Sequence, residues 1–351
     1  MTRVEVDSLP ISVVTGFLGS GKTTLLNHLI KHPAMDKTAV VINEFGEIGI
    51  DNMLVEQVDD DVVLMSSGCL CCTIRGDLVD TLKDLFKRKA KQEIPDFKRL
   101  VIETTGLADP APILHTLMSD PFLMTRYRLD GVISTADAKV ASATMNKHDE
   151  AVKQAAVADR IVITKIDLAE KDEISDLELR LKKLNPAASI YHTEHGEIHP
   201  DLLFDAGLYD PKSKSLDVQR WLRAEAYAEE HDHHHNHDVN RHDDKVQAYC
   251  VYLEEQLPWD QVASWLEMLT TYRGDDILRI KGILNVTESD TPVVVHGVQH
   301  MFHPPVQLDS WPDDDRRSRV VFITRGLDQE IVENMLSALT ANLDNGAIRD
   351  T

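Results

Sequence analysis

Ile11-Ser12-Val13-Val14-Thr15, followed without a break by Gly16-Phe17-Leu18-Gly19-Ser20-Gly21-Lys22-Thr23-Thr24, is the stretch that decides the fold. The first five residues are mostly apolar and β-branched, as a buried strand requires. The next nine carry three glycines and end on Lys-Thr-Thr, with a helix expected to begin near Lys22. Glycine tolerates positive φ, so such a loop can turn its backbone N–H groups around phosphate oxygens, and the helix N-terminus adds a favourable dipole. Strand, loop and helix in this order predict a nucleoside-triphosphate site. Lys22 is expected to reach the β- and γ-phosphates. The Thr23 hydroxyl is expected to ligate Mg²⁺, a hard cation that shares its oxygens with substrate phosphates. Gly16, Gly19, Ser20, Gly21 and Thr24 complete the predicted cradle.

A chain of 351 residues has room for about two domains with a well-buried core. Its net charge of −22 argues against a nucleic-acid partner, which calls for clustered Lys and Arg, and suits cations. No apolar run approaches the roughly 20 residues needed to span a bilayer, and the first ten residues lack the apolar core of a signal peptide. A cytoplasmic protein without a membrane partner is expected. Of four cysteines, three are packed into Gly68-Cys69-Leu70-Cys71-Cys72, a poor disulfide framework and a candidate metal site.

Short β-rich runs recur at 11–15, 39–42, 62–65, 100–102, 131–133 and 161–163, and helical patterns separate several of them. In 76–91, Leu78, Leu82, Leu85 and Phe86 fall on one helical face. Such alternation implies right-handed crossovers and a mostly parallel sheet covered on both faces, an α/β fold whose ligands gather at the carboxyl ends of the strands. The pattern breaks near Tyr209-Asp210-Pro211, and residues 211–245 are polar and read as a mobile linker. A smaller α+β domain follows, with strands at 247–253, 278–286, 292–297 and 319–324 and helices at 259–271 and 329–343. The predicted division is 9–210, 211–245 and 246–345.

Two further elements stand at predicted strand ends. In Glu103-Thr104-Thr105-Gly106, the Glu103 carboxylate can hold Mg²⁺ through a water and the Gly106 N–H can meet the γ-phosphate, which makes the turn a sensor of that phosphate. In Thr164-Lys165-Ile166-Asp167, Asp167 can accept hydrogen bonds from N1 and N2 of guanine, donors that adenine does not offer, while the Lys165 stem packs on the purine. Many GTP-binding proteins carry Asn where Thr164 stands, and ATP stays open as the nucleotide.

The cysteine run supplies three corners of a tetrahedral site and leaves the fourth for a carboxylate, histidine, water or incoming ligand, an arrangement suited to metal transfer. Cys250 lies in a predicted strand and belongs to the core. The stretch His231-Asp232-His233-His234-His235-Asn236-His237-Asp238 can hold several borderline metal ions weakly, or act as a solvated linker; internal and interrupted, it does not read as an expression tag.

With the phosphate loop, Gly-Cys-x-Cys-Cys, Glu-x-x-Gly and Thr-Lys-x-Asp in this order, the chain resembles the CobW family of P-loop GTPases, most of all its YjiA-type branch linked to zinc homeostasis. The resemblance extends to Asn43-Glu44-Phe45-Gly46-Glu47, Leu107-Ala108-Asp109-Pro110, Arg279-Ile280-Lys281-Gly282 and His296-Gly297-Val298-Gln299. It implies a P-loop NTPase domain with a CobW-type C-terminal domain, slow GTP hydrolysis to GDP and phosphate, and delivery of a metal, typically zinc, to a client protein. It also implies that 43–51 and 103–106 are switch regions, with Glu47 as a metal ligand beside Cys69, Cys71 and Cys72. Some relatives have an acid immediately before the Asn of the first segment, where this chain has Ile42. Lys22, Thr23, Glu103 and Gly106 are the residues expected to serve hydrolysis; no catalytic base or arginine finger is assigned, and homodimer formation, metal or client are candidate activators. Three other readings remain open: a P-loop kinase acting on a small molecule, a passive metal store, and a cobalt-handling protein of cobalamin synthesis, since thiolates lean toward zinc without excluding Co²⁺.

Overall fold

The computed structural model describes residues 8–43, 63–67, 74–204 and 246–346. They fall into two units, the first holding the described residues up to 182 together with 188–204, the second 183–187 together with 246–346. Each is described by itself.

The first unit is built on seven parallel strands, β1 (Leu9–Gly16), β2 (Thr38–Asn43), β3 (Val63–Ser67), β4 (Arg99–Thr104), β5 (Tyr127–Asp137), β6 (Arg160–Thr164) and β7 (Ser189–His192), in the order β3-β2-β4-β1-β5-β6-β7. Its helices are α1 (Lys22–Ile30), α2 (Ile74–Ala90), α3 (Ala111–Ser119), α4 (Pro121–Arg126), α5 (Ala141–Met145), α6 (Asp149–Ala156) and α7 (Lys171–Leu184). The central strands read as near-continuous apolar runs because both sheet faces are covered. Val14, Val40, Val101, Ile133 and Val162 pack under Leu25, Leu26 and Leu29 of α1, while Val13, Val41, Ile102, Val132 and Ile161, which alternate to the other face, are equally buried. On α2, Leu78, Leu82 and Leu85 are buried as their spacing predicts. Phe86 packs edge-on against Phe122 and Tyr127, with ring centroids 5.6 and 6.3 Å away.

β1 lies between β4 and β5, and the chain leaves it in one direction to β2 and later returns to its other side through β5. That reversal opens a crevice beyond the carboxyl end of β1, the place where α/β sheets of this kind take their ligands. The loop 16–21 stands there. β5 runs well past the predicted 131–133 because its polar positions find partners: Asp130 accepts from Ser12 Oγ at 2.9 Å, and Thr135 Oγ1 shares a 2.6 Å hydrogen bond with Ser20 Oγ. β7 carries no run of apolar residues and is not among the strands expected from the sequence; as an edge strand it is only half-buried.

The second unit is an antiparallel six-stranded sheet made of β8 (Val246–Leu253), β9 (Ile277–Leu284), β10 (Val293–Val298), β11 (Met301–Phe302), β12 (Val306–Gln307) and β13 (Ser318–Arg325), ordered β11-β10-β9-β13-β8 with β12 also on β10. Helices α8 (Trp259–Arg273) and α9 (Gln329–Gly346) close one face around the fully buried Trp265 and Phe322, whose rings meet edge-on at 6.0 Å. Arg279, Lys281 and His296, from the two second-unit motifs that carry the resemblance, are buried on β9 and β10, with Lys281 opposite His296. Cys250 is buried in β8 as expected, and burial pushes its thiol up to about 11.

Candidate nucleotide-binding site

The loop after β1 is held open by backbone that only glycine adopts easily: φ is 138° at Gly16, 71° at Gly19 and 92° at Gly21. At Gly16 a side chain is also excluded by space, since a Cβ would stand 2.2 Å from Thr135 Oγ1. Gly21 caps α1 without a side-chain hydrogen bond, and no acidic residue occupies the first helical turn. The helix therefore presents its N-terminal N–H groups and dipole without a built-in carboxylate competing for them, as an anion site requires. Lys22 arches back over the loop, its Nζ donating to Gly16 O at 2.8 Å and Phe17 O at 3.1 Å. This sets the ammonium within the loop that would receive phosphates.

Glu103 is the penultimate residue of β4, next to β1, and the register pairs it with Val14. Its Oε1 accepts from Thr23 Oγ1 at 3.1 Å, so the hydroxyl and carboxylate predicted for Mg²⁺ meet although they are 80 residues apart. Two hard oxygens so placed beside a phosphate loop fit Mg²⁺. Thr104 Oγ1 donates to Thr15 Oγ1 at 2.9 Å and ties the two strand ends together. Gly106 touches the phosphate loop: a Cβ there would lie 2.6 Å from Leu18 N.

On the other side of the loop, β6 delivers Thr164, Lys165 and Asp167. Thr164 Oγ1 donates to Ser20 O at 2.7 Å, and its backbone carbonyl accepts from Ala138 N at 2.9 Å. Lys165, at φ 55°, stretches its Nζ between Gly19 O and Asp137 Oδ2, both at 2.6 Å. Asp167 is the middle residue of a short 3-10 turn, Ile166–Leu168, capped by Lys165, and is exposed. The sheet thus brings Gly16, Gly19, Ser20, Gly21, Lys22, Thr23, Glu103, Gly106, Thr164 and Lys165 together at one end, with Asp167 exposed two residues beyond Lys165 and Thr24 exposed in the first turn of α1.

Several contributors carry no sequence motif. Asp137, at the end of β5, holds Lys165 and accepts from the backbone of Lys139 at 2.9 Å; an acid closing a strand was the signal for it. The loop after β7 comes in beside α1, where a Cβ on Gly196 would lie 2.8 Å from Thr24 O. With one weak strand as its herald, it left no trace in the residue pattern. Gln154 of α6 reaches the turn that begins at Gly106. Glu47, Cys69, Cys71, Cys72, segment 44–51 and the linker 211–245 with its histidines lie outside the described residues. Among the described residues there is no group of three or more His, Cys, Asp or Glu able to hold a metal ion, and no helix long and apolar enough to cross a membrane.

The profile of the "CobW/HypB/UreG, nucleotide-binding domain" matches residues 10–192, more than half of the chain. The chain belongs to the CobW family. The "Cobalamin synthesis protein cobW C-terminal domain" matches 246–340, so the CobW assignment extends to the second unit. Among CobW relatives, the "Zinc chaperone YjiA" of Escherichia coli is 33% identical over 334 residues, covering 95% of this chain and 99% of the relative. The "Zinc chaperone CobW" of Pseudomonas aeruginosa is 28% identical over 366 residues, covering 95% and 92%. A crystal structure described as Zn(II)-bound YjiA GTPase from E. coli superposes with a TM-score of 0.68 at 31% identity, over 95% of this chain and 99% of that one.

Proposed function

We propose that this CobW-family protein is a cytoplasmic GTP-hydrolysing zinc metallochaperone, which binds zinc at Cys69, Cys71 and Cys72 with Glu47 and passes it to a client metalloprotein in a nucleotide-dependent way. What carries the reading is that the crevice of Lys22, Thr23, Glu103 and Asp167 belongs to a chain matched over nearly its whole length by a protein named zinc chaperone.

The residues divide the work. Lys22 and the loop N–H groups take the phosphate charge, with the helix terminus behind them. The Thr23 hydroxyl and Glu103 carboxylate would hold Mg²⁺, which when bound neutralises charge on the phosphates. Gly106, pressed on Leu18, carries the N–H proposed to meet the γ-phosphate, so its turn reports whether that phosphate is there. Asp167 selects guanine by accepting from N1 and N2. The cysteine run lies in sequence between the two switch-like segments, so their ordering reshapes the thiolate site, and the coupling of nucleotide to zinc is reciprocal.

The test uses the full chain, Lys22→Ala, and Cys69, Cys71 and Cys72 all changed to Ser. The expected result is GDP and phosphate as the only products, turnover lost in Lys22→Ala, and tight zinc binding lost in the triple variant while it still binds GTP. A phosphorylated small molecule as product, or undiminished zinc binding by the triple variant, overturns the proposal. Capture of one client by the GTP-loaded protein, abolished in the triple variant, identifies the recipient.

A further inference from the structure

The Gly106 turn is gripped from a helix that carries none of the nucleotide motifs. Gln154 of α6 is 1% exposed, and its Nε2 donates to Gly106 O at 3.2 Å and to Ala108 O at 3.0 Å. The orientation of this amide is chemically forced, because its oxygen could not face two carbonyl oxygens. Its Oε1 takes no hydrogen bond from the described residues. One residue earlier, Lys153 Nζ pairs with Asp109 Oδ2 at 2.7 Å, and Asp109 Oδ1 accepts from Ala111 N at 2.9 Å, so the same helix also fixes the far end of the turn. At the start of α6, the His148 ring lies 4.7 Å from the ring of Phe17 in the phosphate loop.

We propose that Gln154 is a positioning residue for γ-phosphate recognition: its buried amide holds the turn 106–109 against the phosphate loop so that Gly106 N–H is preset for the third phosphate. Two donors on one side chain leave Gly106 and Ala108 little freedom, and the contact of Gly106 with Leu18 removes most of what is left. GDP does not use this turn, so Gln154 acts on the difference between the two nucleotides and not on their shared affinity. By linkage, a bound γ-phosphate tightens the grip on α6, which gives the helix a readout of nucleotide state. The inference rests on the GTPase reading and adds a residue to it.

Gln154→Met keeps length and apolar bulk but removes both donors. Equilibrium binding of GDP and of a non-hydrolysable GTP analogue is measured for the wild type, Gln154→Met and Lys22→Ala. The proposal expects Gln154→Met to bind GDP within about twofold of wild type and the analogue about tenfold more weakly, the scale of two lost buried hydrogen bonds. Lys22→Ala is expected to lose both nucleotides. An unchanged analogue-to-GDP ratio in Gln154→Met overturns the role of Gln154 while leaving the GTPase reading intact. A wild type that binds neither nucleotide overturns that reading. Should Gln154→Met fail to fold, Lys153→Met, at a partly exposed position, decides the matter: a selective loss of analogue affinity of about threefold supports the strap, and an unchanged ratio contradicts it.

Discussion

Thr164 ties the end of β6 to the phosphate loop, its Oγ1 donating to Ser20 O at 2.7 Å from a position 4% exposed. The second carbonyl in its reach, Ala136 O at 3.3 Å, belongs to β5, so one hydroxyl spans the base side and the phosphate side of the crevice. Thr164→Val keeps the shape and leaves the Ser20 carbonyl without its donor. A loss of about 1–3 kcal/mol in unfolding free energy is expected, with weaker binding of GTP and GDP alike. Denaturant unfolding and nucleotide titration measure the two effects. Unchanged stability would show that the strap contributes nothing.

Asp167 is exposed at the rim, so its substitution tests recognition with little effect on folding. Asp167→Asn exchanges one acceptor oxygen for a donor. It no longer suits the 2-amino group of guanine and suits the 2-oxo group of xanthine. Competition between GTP and xanthosine triphosphate is expected to reverse in favour of the latter. Retained GTP preference would move base recognition away from Asp167.

Gly106→Ala puts a methyl group 2.6 Å from backbone nitrogen of Leu18, which no side-chain rotation relieves. The turn must shift off the phosphate loop. Single-turnover GTP hydrolysis is expected to fall by about tenfold or more while GDP still binds, a loss of positioning and not of the cradle. A fall in GDP affinity of the same size would place Gly106 in the cradle itself.

The second unit should show a pH-dependent stability centred on His300. Its Nε2 lies 3.0 Å from Asp275 Oδ1 and its Nδ1 2.8 Å from Thr270 O, so both ring nitrogens face acceptors. The hydrogen bond to Asp275 raises its pKa above the usual histidine value. The folded state therefore prefers the imidazolium. The resulting stability is complete below the unfolded pKa of about 6.5 and is lost as pH rises through the raised folded value. Solvent screens this half-exposed ring, so the effect is a modest slope in thermal midpoint that sets in as pH rises above the ordinary histidine value. His300→Gln should flatten it. Gly274→Ala should do the same, because a Cβ there would sit 2.0 Å from His300 Nδ1 and displace the ring. A slope that survives both changes would assign it to other groups.

Much of this architecture was legible in the residues. The strand at 11–15 and the glycines after it needed only local physics, since a buried parallel strand must be apolar on both faces and the loop must visit positive φ. The longer second-unit elements were equally plain, because β9, β13 and α8 carry strong apolar patterns, whereas the two-residue strands β11 and β12 left none. β7 was not, for Ser-Ile-Tyr-His at a sheet edge buries too little to leave a pattern. Candidate site residues that stand in motifs can be named from the sequence, and those that act through tertiary contact cannot. Asp137 and Gln154 gain their meaning only once β5 and α6 are brought beside the loop.

The proposed metallochaperone function stands on a link between nucleotide state and zinc affinity. Zinc affinity of the purified full chain, measured by competition with a chromophoric chelator in the presence of Mg²⁺ and either GDP or a non-hydrolysable GTP analogue, tests it most directly. The account predicts two dissociation constants that differ by about tenfold or more, with the difference abolished in Lys22→Ala. Equal zinc affinity in the two nucleotide states would contradict it.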